Sequence, residues 1–217
     1  MTRERITTNA YEFILLIIIA FCLIGVLIKS SYAADNVLYI EQSGSGNTVN
    51  VLQDGSGHTV TLNLGIFVPI DNTTISIDQK DSGIKTASVE IKAGINNGVS
   101  ISQQGNGNHT ASIQNLIGSG NNINIDQSGS GNHAFTVVGA NGTTNSGNTI
   151  NAQQSGNSGA DKAFNLNLNG TVGSSVTVQQ TNQTQPNIGS MSIQCNSGSC
   201  GSYSYIRNWK EVAWKDF

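Results

Sequence analysis

Three histidines, His58, His109 and His133, are the side chains best suited to acid–base or metal chemistry, and each follows a glycine turn. Gly55-Ser-Gly57 precedes the first; Gly105-Asn-Gly107-Asn and Gly129-Ser-Gly131-Asn precede the other two. If the turns stack, the rings line up in a column that could take a metal or sense pH. Equally, each could be a turn residue standing in for Asn. The acidic side chains are scattered and include no carboxylate pair of the kind glycoside hydrolysis needs; Asp78 and Asp126 precede equivalent glutamines and are expected to point outward. The calcium signature Gly-Gly-x-Gly-x-Asp is absent, and the Gly-x-Gly runs join strand to strand rather than strand to helix, so no nucleotide site is supported. No catalytic residue, cofactor or metal is expected, and the chain reads as a non-enzyme. Cys195 and Cys200 flank Asn-Ser-Gly-Ser. In an exported chain such a pair could close a disulfide across a turn and staple the last repeat. Free thiols are the alternative, and a metal site lacks a nearby histidine.

The elements that must position these residues are strands. In residues 36–64, Asn36, Leu38, Ile40 and Gln42 share one parity, then Asn47, Val49, Val51 and Gln53, then His58, Val60, Leu62 and Leu64. Ser-Gly-Ser-Gly and Gly-x-Gly turns separate the runs. The signature apolar-x-apolar-x-Gln recurs with its glutamine at Gln42, Gln79, Gln103 and Gln127, and more weakly at Gln154 and Gln180; Met191-Ser-Ile193-Gln-Cys195 is a last copy with cysteine in that place. Steps of 24 residues separate Gln79, Gln103 and Gln127, whereas Gln42 to Gln79 is longer by an extra strand and a loop. This period fits a two-stranded turn of a β-solenoid. One turn buries too few aliphatic side chains to offset its ordering entropy, so stability must come from stacking. Gln and Asn suit stacking because an amide both donates and accepts, bonding the turns above and below.

Arg3 and Arg5 precede an apolar run from Phe13 to Ile28, and Ser31-Tyr32-Ala33 places small residues at −3 and −1. Residues 1–33 therefore read as a secretory signal peptide, cleaved after Ala33, with an uncleaved anchor as the alternative. Phe21 before Cys22 is too large for a lipid-attachment box. Charged residues make up only 11% of the chain and the formal charge is −3, with no basic cluster, which argues against nucleic-acid binding.

These residues resemble the curlin repeat of bacterial curli fibre subunits, Ser-x5-Gln-x4-Asn-x5-Gln with Gly-x-Gly before the Asn. Asn36, Gln42, Asn47 and Gln53 have that spacing, as do Asn97, Gln103, Asn108 and Gln114. Asn121, Gln127 and Asn132 match until Val138, and Ser174 and Gln180 match the first half. The resemblance implies an all-β solenoid over residues 36–201, a cell-surface amyloid fibre that serves adhesion and biofilm matrix, and polymerisation by end-to-end stacking. It also implies an outer-membrane secretion pore with accessory factors and a nucleator or companion subunit as partners. The ladder residues would be Asn36, Gln42, Asn47, Gln53, Gln79, Asn97, Gln103, Asn108, Gln114, Asn121, Gln127, Asn132, Gln154 and Gln180.

Departures are visible. Ala111 and Ile113, and Phe135 and Val137, fall on the parity opposite to Asn108 and Asn132, so either a bulge intervenes or His109 and His133 point inward. Residues 73–95 lack the Gly-x-Gly turn and the second Asn and carry Lys80, Asp81, Lys85, Glu90 and Lys92; this repeat is either a brake on self-assembly through edge charge or merely diverged. The tail, residues 202–217, holds Tyr203, Tyr205, Trp209, Trp214 and Phe217. Ile206, Trp209, Ala213 and Phe217 share a face at helical spacing, a pattern for a short docked helix that caps the last turn or contacts a partner. The competing reading is a monomeric secreted solenoid, an adhesin or ligand-binding module closed by this tail. An ice-binding array is a weaker third, for want of a continuous Thr-x-Thr column.

Overall fold

Period-two patterning with one buried face produces strands, and among the described residues every pairing between them is parallel. In this computed structural model the described residues are 35–65, 70–92, 94–140, 142–195 and 199–208, and they contain no helix. The signal-peptide reading of residues 1–33, with Trp209, Trp214 and Phe217, lies outside them.

The chain winds as a β-solenoid with two seven-stranded walls. Wall A contains β1 (Val37–Tyr39), β3 (Thr59–Thr61), β6 (Lys85–Val89), β9 (His109–Gln114), β11 (His133–Gly139), β13 (Lys162–Asn169) and β15 (Asn187–Gln194). Wall B contains β2 (Thr48–Gly55), β5 (Thr74–Asp81), β8 (Gly98–Gln104), β10 (Asn122–Gly129), β12 (Thr149–Gly156), β14 (Ser175–Gln180) and β16 (Ser202–Ile206). Six full turns therefore run from β2–β3 to β14–β15, with a half-turn in wall A before them and a half-turn in wall B after them. Two short strands, β4 (Ile70–Asp71) and β7 (Gly94–Ile95), pair in the connecting segments.

Between the walls lies one stacked core. Ile75, Ile77, Val99, Ile101, Ile123, Ile125, Val176 and Val178 face inward from wall B, meeting Val60, Leu62, Val89, Ile113, Val137 and Leu166 from wall A. Phe135 and Phe164 stack on adjacent turns, ring centroids 5.6 Å apart. Identical side chains at one register position pack on one another, which is how parallel stacking stabilises turns too small to fold alone. The corners require glycine where backbones approach. A Cβ on Gly107 would lie 2.0 Å from the carbonyl oxygen of Gly131 on the next turn.

Register corrects the phase of the first repeat. Val49 and Val51 pair with Ile75 and Ile77, so Gln53, not Gln42, is the partner of Gln79. Leu38 pairs instead with Val60 in wall A. The apparently long first step was a phase error, and the glutamines from Gln53 onward are separated by 26, 24, 24, 27 and 26 residues. No bulge intervenes at 108–114 or 132–138: His109 and His133 point inward, which puts Asn108 and Asn132 outside. The charged repeat is not an edge, since β5 lies between β2 and β8. Of its charges, Lys85 is inside, while Lys80 pairs with Asp78 (2.6 Å) and Lys92 with Glu90 (2.5 Å) at the surface. The start of the tail, Ser202–Ile206, is strand β16 and belongs to the solenoid; pairing with the open edge of β14 dictates its conformation.

Candidate assembly interface and its ladders

Six glutamines form a continuous spine at the corner of wall B. The Nε2 of Gln53 donates to Gln79 Oε1 (3.0 Å), Gln79 to Gln103 (2.9 Å), Gln103 to Gln127 (2.8 Å), Gln127 to Gln154 (2.8 Å) and Gln154 to Gln180 (2.7 Å). The second amide hydrogen crosses the core: Gln79, Gln103, Gln127, Gln154 and Gln180 donate to the carbonyls of Thr59, Thr86, Thr110, Ala134 and Ala163. Each of these five is fully buried, and both amide hydrogens are used. The spine therefore joins turn to turn and wall to wall.

A second column lies six residues before it. Asn47 Oδ1 accepts from Thr73 N–H, Asn97 Oδ1 from Asn121 N–H, Asn121 Oδ1 from Asn148 N–H and Asn148 Oδ1 from Ser174 N–H. Asn148 belongs to this column and was missed from sequence, although its spacing to Gln154 equals that of Asn121 to Gln127. Asn145, also missed, is buried beside it and accepts from Thr171 N–H. Asn108 and Asn132 form a separate, exposed column: Asn108 Oδ1 accepts from Ile84 N–H, Asn132 Oδ1 from Asn108 N–H, and Asp161 continues it.

Three expected ladder residues fall elsewhere. Gln42 follows β1 and joins neither spine. Gln114 is exposed on the outer face, where it donates to Ser112 Oγ (3.2 Å). Asn36 sits opposite His58, whose backbone N–H it accepts (2.9 Å).

The histidines stand in a buried column of basic residues: His58, Lys85, His109, His133 and Lys162 occupy one register position on successive turns, none more than 2% exposed. Each reaches turn carbonyls. Nε2 of His58, His109 and His133 lies 3.3, 2.9 and 3.0 Å from the oxygens of Asp54, Gln104 and Ser128. Lys85 Nζ donates to Gly83, Gly105 and Gly107 (2.6–2.9 Å), and Lys162 Nζ to Ala160 and Gln185. Burial pulls the pKa of His109 down to about 4 and that of Lys85 to about 8, and lowers His133 and Lys162 too. Sequence reasoning missed both lysines. The signal for Lys85 was its offset of six from Gln79, the same as His109 from Gln103.

The two ends differ. At the start, among the described residues, β1 and β2 are edge strands and no further glutamine precedes Gln53 in the spine. Core-facing Leu38 and Ile40 are half exposed there. At the finish, Gln180 donates to Asn187 Oδ1 (2.6 Å), and Tyr205 donates to the same oxygen (2.9 Å). Tyr205 packs on Phe164, centroids 4.8 Å apart, in the space Gly189 leaves by having no side chain. Tyr203 donates to the Cys200 carbonyl. Cys195 and Cys200 are disulfide-bonded, tying the end of β15 to the start of β16.

The outer faces carry one further pattern. In wall A one column reads Val37, Thr59, Thr86, Thr110, Ala134, Ala163, Ile188; in wall B another reads Leu52, Asp78, Ser102, Asp126, Gln153, Gln179, Ile206. Both are polar or small in the middle and large and apolar only at the two end strands, where exposure runs from 50% for Ile206 to 85% for Ile188. Compared with known proteins, the chain matches no family model, no curated protein and no solved structure.

Proposed function

We propose that this chain is the structural subunit of a secreted, curli-like amyloid fibre that grows by stacking solenoids end to end. The observation that carries the reading is the complementarity of the two ends. One ends in a half-turn of wall B, the other in a half-turn of wall A. Set finish to start, β16 of one copy and β1 of the next become the two halves of a composite turn, with β15 against β1 and β16 against β2. Both walls then continue without a break, and the unpaired edge groups of four strands are satisfied. In that register Ile188 lies over Val37 and Ile206 over Leu52, so the apolar ends of both outer columns meet.

Export by the N-terminal segment, an outer-membrane pore and a nucleating companion subunit are the partners this reading calls for. A role in adhesion and biofilm matrix follows from the same resemblance. A second reading, a monomeric binding module closed at its finish, draws on the Tyr203–Tyr205 plug and the Cys195–Cys200 bond. The two separate experimentally. Leu52→Lys with Val37→Lys places charge on the starting edge at half-exposed positions, leaving the core intact. Seeded elongation of this variant should fall at least tenfold while its β-rich circular dichroism is kept. Elongation at the wild-type rate, or a wild-type chain that never elongates, would favour the monomeric module.

A further inference from the structure

The basic column plays no part in the stacking of ends, and the inference drawn from it stands whether or not the chain polymerises. Five successive turns put an ionisable base at one buried position, while Asn36 and Asn187 hold that position at the two ends. His109 lies between Lys85 on β6 and His133 on β11; His133 lies between His109 and Lys162 on β13. The two imidazoles are stacked with centroids 4.9 Å apart and planes 9° from parallel. Wall B faces them with the carbonyls of Gln104 and Ser128. The nearest carboxylates are engaged on the adjoining turns: Asp81 Oδ2 accepts from Gly105 N–H (2.6 Å) and Asp161 Oδ1 from Asn132 N–H (2.8 Å). Asp54 meets His58 through its backbone carbonyl.

With Nε2–H given to a carbonyl, each neutral ring keeps Nδ1 bare, and in all three histidines this atom is buried with no partner among the described residues. At His109 and His133 a second proton would therefore arrive at a site with no acceptor, next to a lysine ammonium and next to another imidazolium. We propose that this column is an acid-operated release built into the stack: protons taken up by His109 and His133 load like charges on adjacent turns and drive them apart.

The direction follows from linkage. A histidine whose folded pKa is depressed leaves stability complete above the unfolded value, and stability is lost as pH falls toward the folded value. For His109 that window runs from 6.5 down to about 4, over which the unfolding constant rises roughly 150-fold from this residue alone. The test is urea unfolding of the purified chain between pH 7.5 and 4, beside a His109→Asn/His133→Asn variant that carries the residue already found at both ends of the column. The wild-type unfolding constant should climb at least 100-fold more steeply than the variant's across this range. Parallel pH profiles would overturn the proposal. Should the variant fail to fold, the wild-type protein still decides: imidazole NMR signals of His109 that titrate only below pH 5 support the release, and titration near 6.5 in an intact solenoid refutes it.

Discussion

Replacing Gln127 by alanine cuts the spine at its middle, and the structure sets the size of the effect. The side chain is fully buried and takes part in three hydrogen bonds: from Gln103 Nε2, to Gln154 Oε1 and to the Thr110 carbonyl. Truncation leaves Gln154 Oε1 without the donor that reaches it and deprives Gln103 of one of its two acceptors. A buried polar group left unpaired costs about 1–3 kcal/mol, and the vacated space adds to this, for a total of about 3–5 kcal/mol. Gln127→Leu, which keeps most of the volume, isolates the polar part and should still cost about 2–3 kcal/mol. Gln53→Ala is the internal control, because Gln53 is only half buried and donates once along the spine, to Gln79. Its loss should be about 1 kcal/mol. Urea denaturation with a constant m value reads all three. Equal costs at positions 53 and 127, or less than about 1 kcal/mol at 127, would refute a spine whose amides must be satisfied turn by turn.

Other expectations follow from the corners, the basic column and the staple. Gly107→Ala places a Cβ against the Gly131 carbonyl and should lower the melting temperature severely, whereas Gly142→Ala, with φ of +74° but nothing within 4 Å, should cost about 1 kcal/mol. Lys85→Met strips the donor from three turn carbonyls and should destabilise by about 1–3 kcal/mol at pH 7. In the wild type, a lysine lowered by burial to about 8 makes stability rise as pH climbs from there toward 10.5, an alkaline gain that Lys85→Met should reduce on pH-dependent unfolding. Removing the Cys195–Cys200 bond should cost about 2 kcal/mol. Hydrogen exchange should locate that loss in the amides of Ser202–Ile206, with those of β8 and β10 unchanged.

Alternation and glutamine spacing made the solenoid legible, because a period of two and a repeated amide survive any reading of the loops. Phase was harder. Leu38-Tyr-Ile40-Glu-Gln42 has the same pattern as Ile75-Ser-Ile77-Asp-Gln79, yet the first run belongs to wall A. Both walls bury alternate residues, so periodicity cannot say which wall a strand joins; pairing decides it. The extra half-turn at the start supplied the false match. Lys85 and Lys162 went unread because lysine is seldom fully buried, and only turn carbonyls that take the ammonium make it tolerable here. In the tail, the helical spacing of Ile206, Trp209, Ala213 and Phe217 competed with the strict alternation of Ser202-Tyr-Ser-Tyr-Ile206. The open edge of β14 settled the contest for those five residues.

The stacking of ends is tested most directly by X-ray fibre diffraction from an aligned preparation of the purified chain incubated at neutral pH. The account predicts a meridional reflection near 4.8 Å, from strands stacked along the fibre axis, and an equatorial one near 10 Å. A β-rich chain that stays monomeric and dispersed for days under the same conditions would contradict it.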